Sequence, residues 1–179
     1  DPQWTQWRRD QVTAIVRKVY VQSYAIRPSV RVSADTITYG PGPQSTGGWE
    51  TSRAYAEQLQ DWIGWLREGI LDLNVAMNYK QDALTTGSNN QRLMYQEWSD
   101  FAKDWQFERQ TAVGSALYLN ALDASVRQIR TALAPASSTG RSGVGWVGYS
   151  YRTPDAGTNA GTRDGAASRD VVETRLSPS

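Results

Sequence analysis

Apolar side chains first recur at helical spacing between Trp4 and Tyr24. At about 100° per residue, Trp4, Val12, Ile15 and Val19 form one stripe, while Arg9, Thr13, Arg17, Tyr20 and Tyr24 form a second beside it. Arg8 falls inside the apolar stripe. Pro2 suits a first helical turn, Asp1 suits its cap, and Arg27-Pro28 turns the backbone extended. This predicts a helix from about Pro2 to Tyr24. Residues 27–48 lose the helical period. Val30, Val32 and Ala34 alternate with Arg31 and Ser33, which reads as a short strand or an extended arm before "GPGP" and Gly47-Gly48.

The next pattern is longer. Tyr55, Leu59, Trp62, Ile63, Leu66, Ile70, Leu73 and Met77 step by three and four, predicting a helix of about 30 residues from a Thr51 or Ser52 cap to near Leu84. Met94, Trp98, Phe101, Trp105, Ala112, Leu119, Leu122, Val126, Ile129 and Leu133 share another such register. It fits one very long helix or two helices broken near Val113-Gly114, and the break gives the more compact body. Pro135 ends the helical part. The reading is an all-α chain: a helical arm over 1–34, a Gly/Pro-rich linker over 35–50, an antiparallel helical bundle over 51–135, and an extended Gly/Ser-rich tail over 136–179.

Charge sharpens this division. Residues 1–34 hold six cations against two carboxylates, residues 35–110 six against eleven, and residues 111–179 seven against five. A basic arm ahead of an acidic body marks a polyanion-facing end. Arginines outnumber lysines sixteen to three, which favours forked contacts to phosphate or carboxylate. Cysteine and histidine are both absent, which removes disulfides, thiol nucleophiles, imidazole bases and His-containing metal sites. No apolar run reaches the roughly 18 residues that span a bilayer. The first residue, Asp1, reads as a processed or trimmed end.

Glu97, Asp100, Asp104 and Glu108 line one side of a helix, but without histidine they read as a solvated face balanced by Lys103 and Arg109. "GRSGVGWVG" lacks the Lys-Ser/Thr of a phosphate loop. No nucleophile is paired with a base, so the expectation is a non-enzyme with no cofactor, no metal and no small-molecule substrate.

The Arg/Tyr face of the first helix is the candidate nucleic-acid contact: Arg8, Arg9, Arg17, Lys18, Tyr20, Tyr24, Arg27 and Arg31, by phosphate forks and stacking. Trp62, Trp98 and Trp105 sit at core positions. Trp4, Trp7, Trp49, Trp65, Trp146, Tyr149 and Tyr151 lie on the arm, the linker edge, the off-stripe face of the second helix and the tail, and read as anchors between subunits.

The basic helix 4–24, the Pro-interrupted "AIRPSVRV" and the bundle pattern 51–134 together resemble the major capsid proteins of filamentous and rod-shaped archaeal viruses. The resemblance implies a virion structural protein that packages nucleic acid, double-stranded DNA by preference, in a helical filament. It implies contacts without sequence specificity, self-assembly, and a paralogous second coat protein. Two rival expectations are a phage head–tail adaptor ring and a secreted filament subunit without nucleic acid.

Overall fold

The computed structural model describes residues 1–176. The helical spacing near the start corresponds to α1 (Pro2–Ile26), capped by the Asp1 carboxylate, which accepts from the Gln3 N–H at 2.9 Å. Val12, Val16 and Tyr20 turn toward the body. The chain continues through β1 (Ser33–Ile37), α2 (Pro43–Thr46), α3 (Arg53–Ala56), α4 (Trp62–Glu68), β2 (Leu73–Met77), α5 (Gln91–Asp104) and β3 (Gln110–Ala116). It then forms α6 (Leu122–Leu133), β4 (Gly145–Tyr149), α7 (Ala156–Asn159) and α8 (Gly165–Leu176).

The four strands make one sheet in the order β1-β2-β3-β4, every pair parallel. Parallel neighbours need a crossover, and helices supply each one. Asp35 pairs with Val75, Val75 with Ala112, and Ala112 with Gly145 across the sheet. One face, carrying Thr36, Asn74, Ala76, Val113 and Ser115, lies buried beneath the helices. The opposite face carries Asp35, Val75, Met77, Val147 and Tyr149, which keep exposed or half-buried side chains.

The main core lies between sheet and helices: Trp62 and Trp98 fully buried, with Trp65, Leu66, Leu71, Ala76 and Phe101 around them. Trp49 closes it, its ring 4.7 Å from Trp62 and 5.8 Å from Phe101. Leu117, Leu122, Ile129 and Val172 form a second cluster, joined by Trp146.

The all-α expectation is therefore corrected to α/β, and the helical bundle to a series of βα units. Three segments carry the difference. Ile70, Leu73 and Met77 continue the register of α4, yet Gly69 at φ +83° ends that helix, its N–H reaching the Leu66 and Trp65 carbonyls. Beyond it, Leu73–Met77 is a strand whose alternate residues Asn74 and Ala76 are buried. A short apolar strand next to a helix satisfies three-four spacing for one further turn, so periodicity alone misassigns it.

The expected helix break at Val113-Gly114 falls inside β3, where the strand is central and mostly buried. The segment expected as an extended tail includes β4, which pairs with β3, and α8. The last positions of that tail, 177–179, lie outside the described residues.

Candidate functional site

In parallel α/β folds, ligands meet the carboxyl ends of the strands, because the loops there converge and the scaffold behind them is rigid. Each strand of this sheet places a tyrosine two residues beyond its last position: Tyr39, Tyr79, Tyr118 and Tyr151. Tyr149 ends β4 itself. Three of these rings meet. Tyr79 stacks on Tyr149 with centroids 5.5 Å apart, and Tyr118 stands edge-on to Tyr149 at 5.9 Å. Tyr149 is 54% exposed, so the cluster ends in an open ring.

The close approach of β2 and β3 sets this geometry. At Gly114 an added Cβ would lie 2.8 Å from the Ala76 carbonyl oxygen and 3.2 Å from the Tyr79 ring. Only a residue without a side chain lets Tyr79 lie there. Burial pushes the Tyr79 hydroxyl above its ordinary pKa, and the nearby Asp35 charge adds to that, so the phenol stays protonated and able to donate. Asp35 is exposed on the same uncovered face and is the one carboxylate within the four strands.

Behind the rings the strand ends are tied together. The Asn78 side chain donates to the Tyr95 carbonyl at 2.8 Å and the Ser99 hydroxyl at 3.2 Å, both on α5. The Lys80 ammonium, buried, donates to the Thr38 carbonyl at 2.6 Å. The Lys80 carbonyl accepts from Asn120 at 2.9 Å and from Gln128 at 3.0 Å. Burial pulls the Lys80 pKa down to about 8.

Other carboxylates near these ends are occupied. Asp82 accepts from Arg92 at 2.8 Å and Arg127 at 2.6 Å. Asp155 accepts from the Thr158 N–H at 2.8 Å. Burial pushes the Asp155 carboxyl up, but these and neighbouring hydrogen bonds hold it below its ordinary value. Among the described residues no cluster of three or more acidic side chains is placed to hold a metal. A cavity of about 590 Å³ between β4 and α8, lined by Leu117, Trp146 and Val172, lies on the helix-covered side and touches the strand-end surface at Tyr151.

The residues singled out from sequence are scattered. Arg9 is buried, its guanidinium 3.7 Å over the Tyr55 ring and bonded to the Tyr55 carbonyl at 3.1 Å and to Gln6 at 2.6 Å. Arg17 is forked onto Glu68, with one contact of 2.8 Å, and this bond lowers the Glu68 pKa. Arg31 donates to Gln110 at 2.7 Å and Arg27 to Ser29 at 3.4 Å. Arg8 and Lys18 are exposed. The Tyr20 hydroxyl reaches Asp72 at 3.4 Å, and its ring stacks on Tyr24 at 6.4 Å.

Trp4 and Trp7 stack on each other, half-exposed, on α1. Trp49, Trp65 and Trp146 pack into the two cores. Tyr149 and Tyr151 are the two residues of that set which stand at the strand ends. Asp35, Tyr39, Tyr79 and Tyr118 escaped the sequence reading. The signal was present: "TITY", "AMNY", "SALY" and "GYSY" recur at intervals of about 33 to 40 residues, the length of a βα unit.

A family model described as "Glycosyl hydrolase-like 10" matches residues 1–113, from α1 into β3. No curated protein and no solved structure matches the chain. The family match overturns the expected virion coat protein and the resemblance to viral capsid proteins that led to it. The helix read there as a nucleic-acid clamp belongs instead to a glycosyl hydrolase-like region whose basic residues Arg9 and Arg17 are bonded within the chain.

Proposed function

Because the chain belongs to the glycosyl hydrolase-like 10 family, we propose that it acts on glycosides, binding a sugar chain across the tyrosines at the carboxyl ends of its strands. The carrying observation is the Tyr79–Tyr149–Tyr118 cluster with its open outer ring. Pyranose rings present apolar C–H faces that pack on aromatic rings, while their hydroxyls need donors and acceptors at the rim. Tyrosine supplies both. Asp35 is the candidate for one of the two carboxyl groups that glycosidic cleavage requires on either side of the scissile bond.

Calorimetric titration with cellohexaose, xylohexaose, maltohexaose and chitohexaose tests the reading. At least one should bind, and Tyr149→Ala should weaken it about five- to tenfold, the scale of one lost aromatic contact. Asp35→Asn should abolish any hydrolysis of the bound sugar while leaving its affinity within about threefold, as expected for a group that moves a proton rather than holds the ligand. Absence of binding to all four, or binding indifferent to Tyr79→Ala and Tyr149→Ala, rules the reading out.

A further inference from the structure

Lys80 is a buried cation whose described contact is a main-chain carbonyl rather than a carboxylate. Burying an ammonium is costly, and lysine is the least expected residue at such a position unless its three donors have a task. Its placement supplies one. Tyr79 lies between Asn78 and Lys80, whose side chains are anchored to different parts of the fold. Asn78 grips α5. Lys80 reaches the Thr38 carbonyl just beyond β1. Thr38 is itself tied to β2, its hydroxyl donating to the Met77 carbonyl at 2.9 Å. The carbonyl of Lys80 is held by Asn120, which also donates to the Ala116 carbonyl at the end of β3, and by Gln128 of α6. One residue therefore links the carboxyl ends of β1, β2 and β3.

We propose that Lys80 is the positioning residue of the strand-end site, fixing the β1 and β2 loops against each other so that Tyr79 stacks on Tyr149. It acts from behind the surface, being only 6% exposed. Flexible loops lose affinity because each ordered rotamer is charged against binding, so a pre-set ring binds more tightly than a free one. The consequence for sugar affinity rests on the reading under Proposed function; the consequence for ring geometry does not.

The test uses the full chain with ¹³C-labelled tyrosine rings. In Lys80→Met, which keeps the apolar stem and removes the donor, the Tyr79 and Tyr149 ring resonances should shift and broaden. The Tyr20 and Tyr24 resonances on α1 should stay in place. Lys80→Arg, which retains a donor for the Thr38 carbonyl, should return them toward the parent spectrum. If Lys80→Met does not fold, Gln128→Leu removes one of the two grips on the Lys80 carbonyl and should produce the same shifts at smaller amplitude.

For whichever of the four hexaoses the parent chain binds, Lys80→Met should raise Kd about tenfold with far-UV circular dichroism unchanged. Unshifted Tyr79 and Tyr149 rings in the folded variants overturn the positioning role. Shifted rings with no hexaose bound by the parent chain uphold the positioning role and remove the sugar reading instead.

Discussion

Gly114 shows how a single residue decides the site. It sits where β3 passes β2, and a methyl group there collides with a main-chain oxygen that has no room to retreat. Gly114→Ala should cost about 1–3 kcal/mol, the range for overpacking a tight interior, and should displace the Tyr79 ring. Urea unfolding gives the first quantity and tyrosine ring spectra the second. At this scale the site was poorly legible. Asp35 stood in a segment read as linker, and nothing in its neighbours marks it as facing Tyr79. Arg9 and Arg17 were conspicuous as cations on a helix, but their charge is met by the Tyr55 carbonyl and ring and by Glu68. Sequence shows that a charge exists; the fold shows what satisfies it.

Elements were legible where a single period governs them. Residues 91–104 and 122–133 alternate apolar and polar positions at helical spacing along a side that packs on the body, and both are helices. Residues 2–26 are a helix too, but of its apolar stripe Trp4, Ile15 and Val19 stand exposed, while Val12, Val16 and Tyr20 meet the body. Strands were not legible: β2 alternates in burial, but its buried positions are Asn74 and Ala76 and its half-buried ones Leu73, Val75 and Met77, so no apolar-in, polar-out pattern marks it, and β3 is mostly buried. The switch from α4 to β2 turns on Gly69, whose left-handed conformation a side chain resists. Gly69→Ala should cost about 1 kcal/mol in the thermal transition while the sheet persists. A Cβ there also lies 2.5 Å from the Arg109 guanidinium, a flexible group that moves aside and loosens its 2.7 Å contact with Asp72.

For the molecule as a whole, the buried Lys80 predicts an unusual pH dependence. Above about pH 10.5 the amine is neutral whether the chain is folded or not, and burial carries no charge penalty. As pH falls from there to about 8, the unfolded chain takes up the proton and the folded chain does not, so stability declines. Below about 8 the penalty is constant, on the order of 1–3 kcal/mol. Chemical denaturation should therefore show stability rising between pH 8 and 10, with the slope reduced in Lys80→Met; a parent chain with no such rise contradicts this account. The window closes near pH 10, where tyrosines begin to ionise in the unfolded chain while the buried Tyr95, pushed up by desolvation, stays protonated. Truncation at the centre of the core is the harsher test: Trp98→Ala should cost about 3–5 kcal/mol, enough to abolish the cooperative melt of a marginal domain.

The chain's own letters determined where its amphipathic helices run, where its glycines and prolines interrupt them, and that histidine and cysteine chemistry is closed to it. These are local properties, carried by side chains a few residues apart. The tertiary structure alone decided that the segments between helices are parallel strands, and that four tyrosines separated by whole βα units stand at one end of one sheet. Parallel pairing joins residues 33 to 40 positions apart, and no short-range pattern reports which distant partner satisfies a strand's backbone or which ring lies against another.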